Sequence, residues 1–184
     1  LISANPMNKI KNEEKPHKHR TEREYLTIDE LRKLAQTPFY NGLLKKAFLF
    51  SCFCGLRHSD IIALTWGDIE MDDDGNSRLY IIQKKTKEAI SLPLSQEAIK
   101  QLPKREDAKE DDIIFKKLIT LGRTNEILPK WAEQAGIKKH ITFHTARHTH
   151  ATMLLTLGVD LYTVSKLLGH TNIQTTQIYA KLVD

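Results

Sequence analysis

Four stretches carry side chains whose types and spacing suit phosphate chemistry: Gly55-Leu56-Arg57, Lys85-Thr86, His144-Thr145-Ala146-Arg147, and Leu168-Gly169-His170 followed by Tyr179. Each has an ordinary structural reading by itself: a surface arginine, a solvated turn lysine, a helical hydrogen-bonding pair, a core tyrosine. Together they describe one chemistry. Two guanidinium forks match phosphate oxygens in a bidentate way and stay charged at any physiological pH. Imidazoles donate further hydrogen bonds or carry a proton. A flexible lysine can protonate a leaving oxygen. A phenol becomes a nucleophile when nearby cations stabilise its anion. The set suits an in-line phosphoryl transfer with a tyrosine nucleophile. It calls for no metal, because arginines supply the positive charge that a divalent ion provides elsewhere.

These residues converge only if the chain positions them. His144 and Arg147 are three apart and share a face if they lie on a helix. His170 and Tyr179 are nine apart, which on one unbroken helix is a rotation of about 900° and leaves them on opposite faces. A break is therefore required between them. Gly169 suits a helix terminus, and Thr171 or Asn172 suits the next N-cap. His140, His144 and His148 follow each other at intervals of four, and His144 with His148 is compatible with a zinc pair. No Cys or Glu completes a ligand set, however, and His144 pairs better with Arg147, so neither metal nor cofactor is expected.

The supporting elements can be read from period and punctuation. Thr27 and Glu30 form a capping-box pattern ahead of a helix around Leu31 and Leu34. Residues 39–54 read as a buried helix, with Leu43, Ala47 and Phe50 at helical spacing. A second helix is expected after Gly55, carrying Ile61, Ile62, Leu64 and Trp66. The period then changes. Residues 68–72, 79–83 and 90–94 read as strands, separated by turns at 72–76 and 84–88. Pro93 suits an edge strand or a strand end. Helices return near 95–101, 123–135, 145–157, 160–168 and 172–180, and the acidic stretch 106–112 reads as a solvated loop. The expected fold class is mostly α with a small three-stranded antiparallel β-sheet. Residues 1–24 are polar and lack periodicity. They read as a linker whose charges assist contact with phosphates.

Composition narrows the possibilities. The 184 residues suffice for one well-packed domain, and 40% hydrophobic with 28% charged residues is ordinary for a soluble protein. No apolar run approaches the roughly 20 residues of a membrane span, and no signal peptide is evident. The absence of an initiator Met suggests a fragment of a longer chain. Cys52 and Cys54 lie too close for an ordinary disulfide and read as buried small hydrophobes in a reducing cytoplasm. The net charge of +5 is unevenly spread: residues 113–184 hold 9 Lys and Arg against 4 Asp and Glu, while residues 1–112 hold 19 of each kind. A polyanionic partner fits that excess.

The stretches FSCFCGLRHSDIIALTWGDI, KKTKEAISLPL and ITFHTARHTHATMLLTLGVDLYTVSKLLGHTNIQTTQIYAKL resemble the successive motifs of the tyrosine recombinases, or phage integrases, from about Tyr25 to Leu182. The resemblance implies that family's catalytic-domain fold (the DNA breaking-rejoining enzyme type) over residues 25–184. Residues 1–24 would then be the remnant of a linker from an absent N-terminal domain that grips the opposite face of DNA. It implies that Arg57 and Arg147 clamp the scissile phosphate and that Lys85, rather than Lys84 or Lys87, protonates the leaving 5′ oxygen. His144 would act as acid, base and phosphate ligand, and His170 would hydrogen-bond the phosphate. Tyr179 would form a 3′-phosphotyrosyl bond, with His148 in a supporting role. The implied activity is site-specific recombination or integration of double-stranded DNA without metal or ATP. The implied assembly is a tetramer on DNA, with accessory DNA-bending proteins as further partners. Three alternatives stand beside it: a type IB topoisomerase that rejoins the same strand, a non-catalytic DNA-binding regulator, and a helical scaffold with no DNA role.

Overall fold

The computed structural model describes residues 23–71, 73 and 76–183. Most of the 1–24 segment, and three residues of the acidic turn at 72–76, lie outside the described residues. Helix α1 (Ile28–Gln36) opens with the expected reciprocal cap: the Thr27 hydroxyl accepts from the Glu30 N–H while the Glu30 carboxylate accepts from the Thr27 N–H. Helix α2 (Gly42–Cys54) starts later than the apolar pattern suggests. Asn41 caps it after Pro38, and Gly55 ends it in the left-handed region at φ +71°. The helix expected next is a single turn, α3 (His58–Ile61). The chain continues as a 3-10 turn at Trp66–Asp68, capped by Asp68 on the Thr65 N–H and hydroxyl. That turn also explains why the acidic stretch is more than a solvated loop. The backbone carbonyls of Glu110 and Asp112 accept from the N–H groups of Gly67 and Trp66, so the stretch anchors the start of the sheet.

Strands β1 (Ile69–Met71), β2 (Ser77–Ile82) and β3 (Ala89–Pro93) form an antiparallel sheet in sequence order. Leu79 lies opposite Leu92, and Ile81 opposite Ile90. Pro93 falls at the end of an edge strand, where a missing N–H costs no ladder bond. Helices α4 (Gln96–Lys100), α5 (Leu121–Gln134), α6 (Phe143–Thr156), α7 (Leu161–Leu167) and α8 (Gln174–Val183) complete the chain.

The principal core is aromatic and lies between α2, α5 and α6. Phe39 stacks on Trp131 at 4.7 Å, and Phe48 meets both Trp131 and Phe143 edge-on at 6.0 Å. A smaller cluster joins Ala151 of α6, Val164 and Leu168 of the α7 region, and Tyr179 of α8. Helix α6 takes part in both clusters and packs on α2, α5, α7 and α8. Side chains on its inward face are therefore held from several directions. No described helix is long and apolar enough to cross a membrane. Cys52 and Cys54 are free thiols inside the core, and burial raises the Cys54 thiol to about 12, which makes it inert as a nucleophile.

Candidate active site

Arg147 is the fixed point of the site. It sits one turn inside α6, 1% exposed, and its fork donates through Nη1 to the Gly55 carbonyl at 2.8 Å and through Nη2 to the Leu168 carbonyl at 2.6 Å. Gly55 ends α2 two residues before Arg57, and Leu168 precedes the Gly169 turn that presents His170. One guanidinium therefore joins the two loops that carry two other expected site residues. Burial, with the like charge of Arg57 nearby, lowers Arg147 to about 10, so it remains charged at neutral pH. Arg57 is half-buried at the N-cap of α3 and donates through Nη1 to Gln83 Oε1 at 2.7 Å. The Gln83 amide in turn donates to the same Leu168 carbonyl at 3.0 Å, which links the two arginines through two acceptors.

Three histidines share this environment, and all are neutral at pH 7. His144, on the first turn of α6, is exposed overall. Desolvation of its ring, with Arg147 and Arg57 beside it, pulls the imidazole down to about 4. His170 is half-buried and also lowered to about 4, first by desolvation and then by Arg147 and Arg57. Its Nδ1 lies 2.8 Å from the Thr176 hydroxyl. His148 is buried, edge-on to His144 at 4.6 Å, and lowered to about 3 by desolvation and its charged neighbours. A neutral imidazole offers one N–H donor and one acceptor nitrogen.

Tyr179 lies on α8, 1% exposed, with its hydroxyl 2.8 Å from His148 Nδ1. Burial pushes its phenol above the ordinary value. The charges of Arg147, Arg23 and Arg57 work in the opposite direction. The required break between His170 and Tyr179 is present: Gly169 takes φ +63°, and α8 begins at Gln174 after the Asn172 carboxamide accepts from the Gln174 N–H. Lys85 is exposed in the turn between β2 and β3, and its charge reaches His144. Arg57, His144, Arg147, His170 and Tyr179 are thus gathered around one field of positive charge, with Lys85 above it on the hairpin.

Four residues beyond the expected set support the site. Asp60, three residues after Arg57, is buried. Its Oδ1 accepts from the Lys84 N–H at 2.9 Å and so fixes the entry to the hairpin. Gln83 is fully buried beneath that hairpin. Thr176 orients His170, and the charge of Arg23 reaches the phenol from the strap ahead of α1. That strap is tied to the helices that carry Arg147 and Tyr179: the Leu26 N–H donates to the Thr149 hydroxyl of α6, and the Tyr25 hydroxyl donates to the Leu182 carbonyl of α8. Two of these residues had a readable signal. Gln83 continues the inward register of Leu79 and Ile81, and a polar residue in an inward register needs a partner. Asp60 precedes the buried Ile61 on the same short helix.

A family model described as the phage integrase family matches residues 24–184. A tyrosine recombinase XerC from Chlamydia caviae is 33% identical over 169 residues, which are 84% of this chain and 53% of that protein. A tyrosine recombinase XerD from Listeria innocua is 34% identical over 197 residues, which are 97% of this chain and 63% of that protein. The chain thus spans between about half and two thirds of the length of these curated relatives. Among solved structures, a lambda integrase dimer bound to a COC′ core site matches with a TM-score of 0.69 at 24% identity, over 91% of this chain and 61% of that one. The Tn1549 transposon integrase in complex with transposon right end DNA matches with a TM-score of 0.70 at 18% identity, over 97% of this chain and 67% of that one. At these identities the structural matches show the fold.

Proposed function

This chain belongs to the phage integrase family, and from that premise we propose that residues 25–184 are the catalytic unit of a tyrosine recombinase that cleaves and rejoins double-stranded DNA. The observation that carries the reading is the setting of Tyr179: a phenol touching a neutral imidazole, within the field of two arginines linked through Gln83 and the Leu168 carbonyl. Arg57 and Arg147 hold the non-bridging oxygens of the scissile phosphate and stabilise the charge that grows on them in the transition state. His144 and His170 donate to the same oxygens. The Thr176 contact fixes the His170 ring, so that its Nε2 edge faces the substrate.

Tyr179 attacks the phosphorus as its proton passes to His148 Nδ1, with that ring in the Nε2–H tautomer. The bond to the 5′ oxygen breaks, and Lys85 protonates that oxygen. The product is a 3′-phosphotyrosyl enzyme and a free 5′ hydroxyl. The phosphodiester energy is retained in the covalent bond, so religation needs no nucleotide. A 5′ hydroxyl from a partner duplex completes strand exchange, and two such rounds require four protomers on DNA. Accessory DNA-bending proteins and action in the cytoplasm are consistent with that role. The names of the matched relatives and the excess of basic residues in 113–184 support DNA as the substrate.

The test is covalent capture. The protein and its Tyr179→Phe variant are incubated in chelator with a pool of 5′-labelled nicked duplexes of randomised sequence, then run on a denaturing gel. A retarded, protease-sensitive band from the parent protein alone is the expected result. A band of equal strength from Tyr179→Phe overturns the nucleophile. Relaxation of a supercoiled plasmid without any joint molecules would move the assignment to strand rejoining of the topoisomerase kind.

A further inference from the structure

Gln83 is the residue on which the separate parts of the site meet. It follows β2 with no exposed surface, and its backbone closes the hairpin: its N–H donates to the Glu88 carbonyl, and its carbonyl accepts from the Lys87 N–H, both at 2.9 Å. Its side chain makes three hydrogen bonds. Oε1 accepts from Arg57 Nη1 at 2.7 Å and from the Thr86 hydroxyl at 2.8 Å, while Nε2 donates to the Leu168 carbonyl at 3.0 Å. A guanidinium can only donate and a carbonyl can only accept, so these partners determine which way the amide points. The approach is also sterically required. A Cβ on Gly169 would lie 2.7 Å from Gln83 Oε1, so this position excludes any larger residue while the amide keeps its place.

The choice of an amide has a physical reason. A carboxylate there would neutralise Arg57, which must keep its charge for the phosphate, and would face the Leu168 carbonyl without a donor. An apolar side chain would release Arg57 and leave Leu168 with Arg147 alone. A neutral amide orients Arg57 without neutralising it.

We propose that Gln83 is a positioning residue that holds Arg57 and the Lys85 hairpin in register with the Arg147–His170 side, so that clamp and leaving-group acid address the same phosphate. This rests on the recombinase reading above. Gln83 has no exposed surface to offer a substrate and acts through Arg57 and Thr86.

The test compares single-turnover cleavage of three versions of the duplex captured with Tyr179: an ordinary scissile phosphate, a neutral methylphosphonate, and a 5′-bridging sulfur. The methylphosphonate lacks one anionic oxygen and depends less on the arginine clamp. A thiolate leaves without protonation and bypasses Lys85. Gln83→Met is expected to slow cleavage of the ordinary duplex by about 100-fold, the scale of an ångström-sized misplacement. Each modified duplex should recover part of that loss and neither all of it, because both functions pass through Gln83. Gln83→Glu keeps the side-chain volume and carries the same test if Gln83→Met does not fold. Its loss should be recovered mainly on the methylphosphonate, since its carboxylate neutralises Arg57. Equal loss on all three duplexes would mean a merely structural role and would overturn the proposal, as would near-parental cleavage of the ordinary duplex by both variants. If the parent protein forms no Tyr179-dependent adduct, the recombinase reading itself fails, and this proposal falls with it.

Discussion

The site has two halves built on different principles. On the α6 side, Arg147, His148 and His150 lie in the interior, and Arg147 is held by the backbone carbonyls of Gly55 and Leu168. On the loop-and-hairpin side, Arg57 is half-buried with a side-chain partner, and Lys85 is exposed on a turn. The difference fits what each group would do in the proposed mechanism. Fixed charge stabilises a transition state best when its dipoles and donors do not reorganise, which favours a buried arginine satisfied by rigid backbone. A general acid must approach an oxygen as its bond breaks, which favours a lysine on an accessible turn. Tyr179 belongs with the first half: its ring is part of the small core that α6, α7 and α8 share.

The largest test of that division is Arg147→Ala. It leaves the buried Gly55 carbonyl without its donor, at about 1–3 kcal/mol, leaves the Leu168 carbonyl with Gln83 alone and empties a buried side-chain volume, so stability should fall by about 3 kcal/mol or more. A thermal melt should show this as a drop of roughly 10 °C for a domain of this size, together with loss of covalent capture. A variant that melts like the parent would mean that Arg147 does not hold the two loops together.

Arg57→Lys should separate chemistry from stability. It keeps the charge but loses the fork, and about 10²–10³-fold in capture rate is expected from the removal of one well-placed donor group. Its unfolding midpoint in urea should stay within about 1 kcal/mol of the parent, as for a partly exposed site. Capture at the parental rate would remove Arg57 from the clamp.

A third test works through pH. Burial holds His148 down at about 3 and His150 at about 4, against about 6.5 in an unfolded chain. Between those values the unfolded state binds more protons than the folded one. Their contribution is therefore complete above pH 6.5 and is lost as pH falls towards 4, with a slope of about 1.4 kcal/mol per pH unit for each titrating histidine. His150 Nδ1 donates to the Cys52 carbonyl at 3.3 Å, and its ring lies where a Cβ on Gly55 would be 2.7 Å away. His150→Phe should flatten the urea-midpoint profile between pH 6.5 and 4.5. An unchanged slope would mean that this buried histidine does not drive the acid loss.

Much of the scaffold could be read in the chain because its signals are local. The Thr27–Glu30 box, the three strands, Pro93 at an edge and the break at Gly169 all rest on residues within a few positions of one another. One expectation failed where distant contacts intervened. The helix after Gly55 shrinks to one turn because Asp60 and Thr65 turn the chain into the sheet, whereas the acidic stretch is the exposed loop expected, with the Glu110 and Asp112 carbonyls accepting from Gly67 and Trp66. The candidate residues were legible as a set because their types and order describe one reaction. The residues that orient them were less so: Gln83 and Asp60 show only as polar positions beside buried apolar ones, and Thr176 and Arg23 are ordinary polar side chains until the fold supplies partners.

The candidate groups, their order along the chain and most of the local elements that carry them thus follow from the sequence alone. Only the tertiary structure decided that Leu168 offers one carbonyl to both Gln83 and Arg147, that Gln83 rather than a carboxylate faces Arg57, and that His148 is the imidazole at the Tyr179 hydroxyl. Those contacts join segments between 21 and 85 residues apart. Whether a buried donor meets an acceptor at that separation depends on how the helices pack, not on the spacing of the residues in the chain.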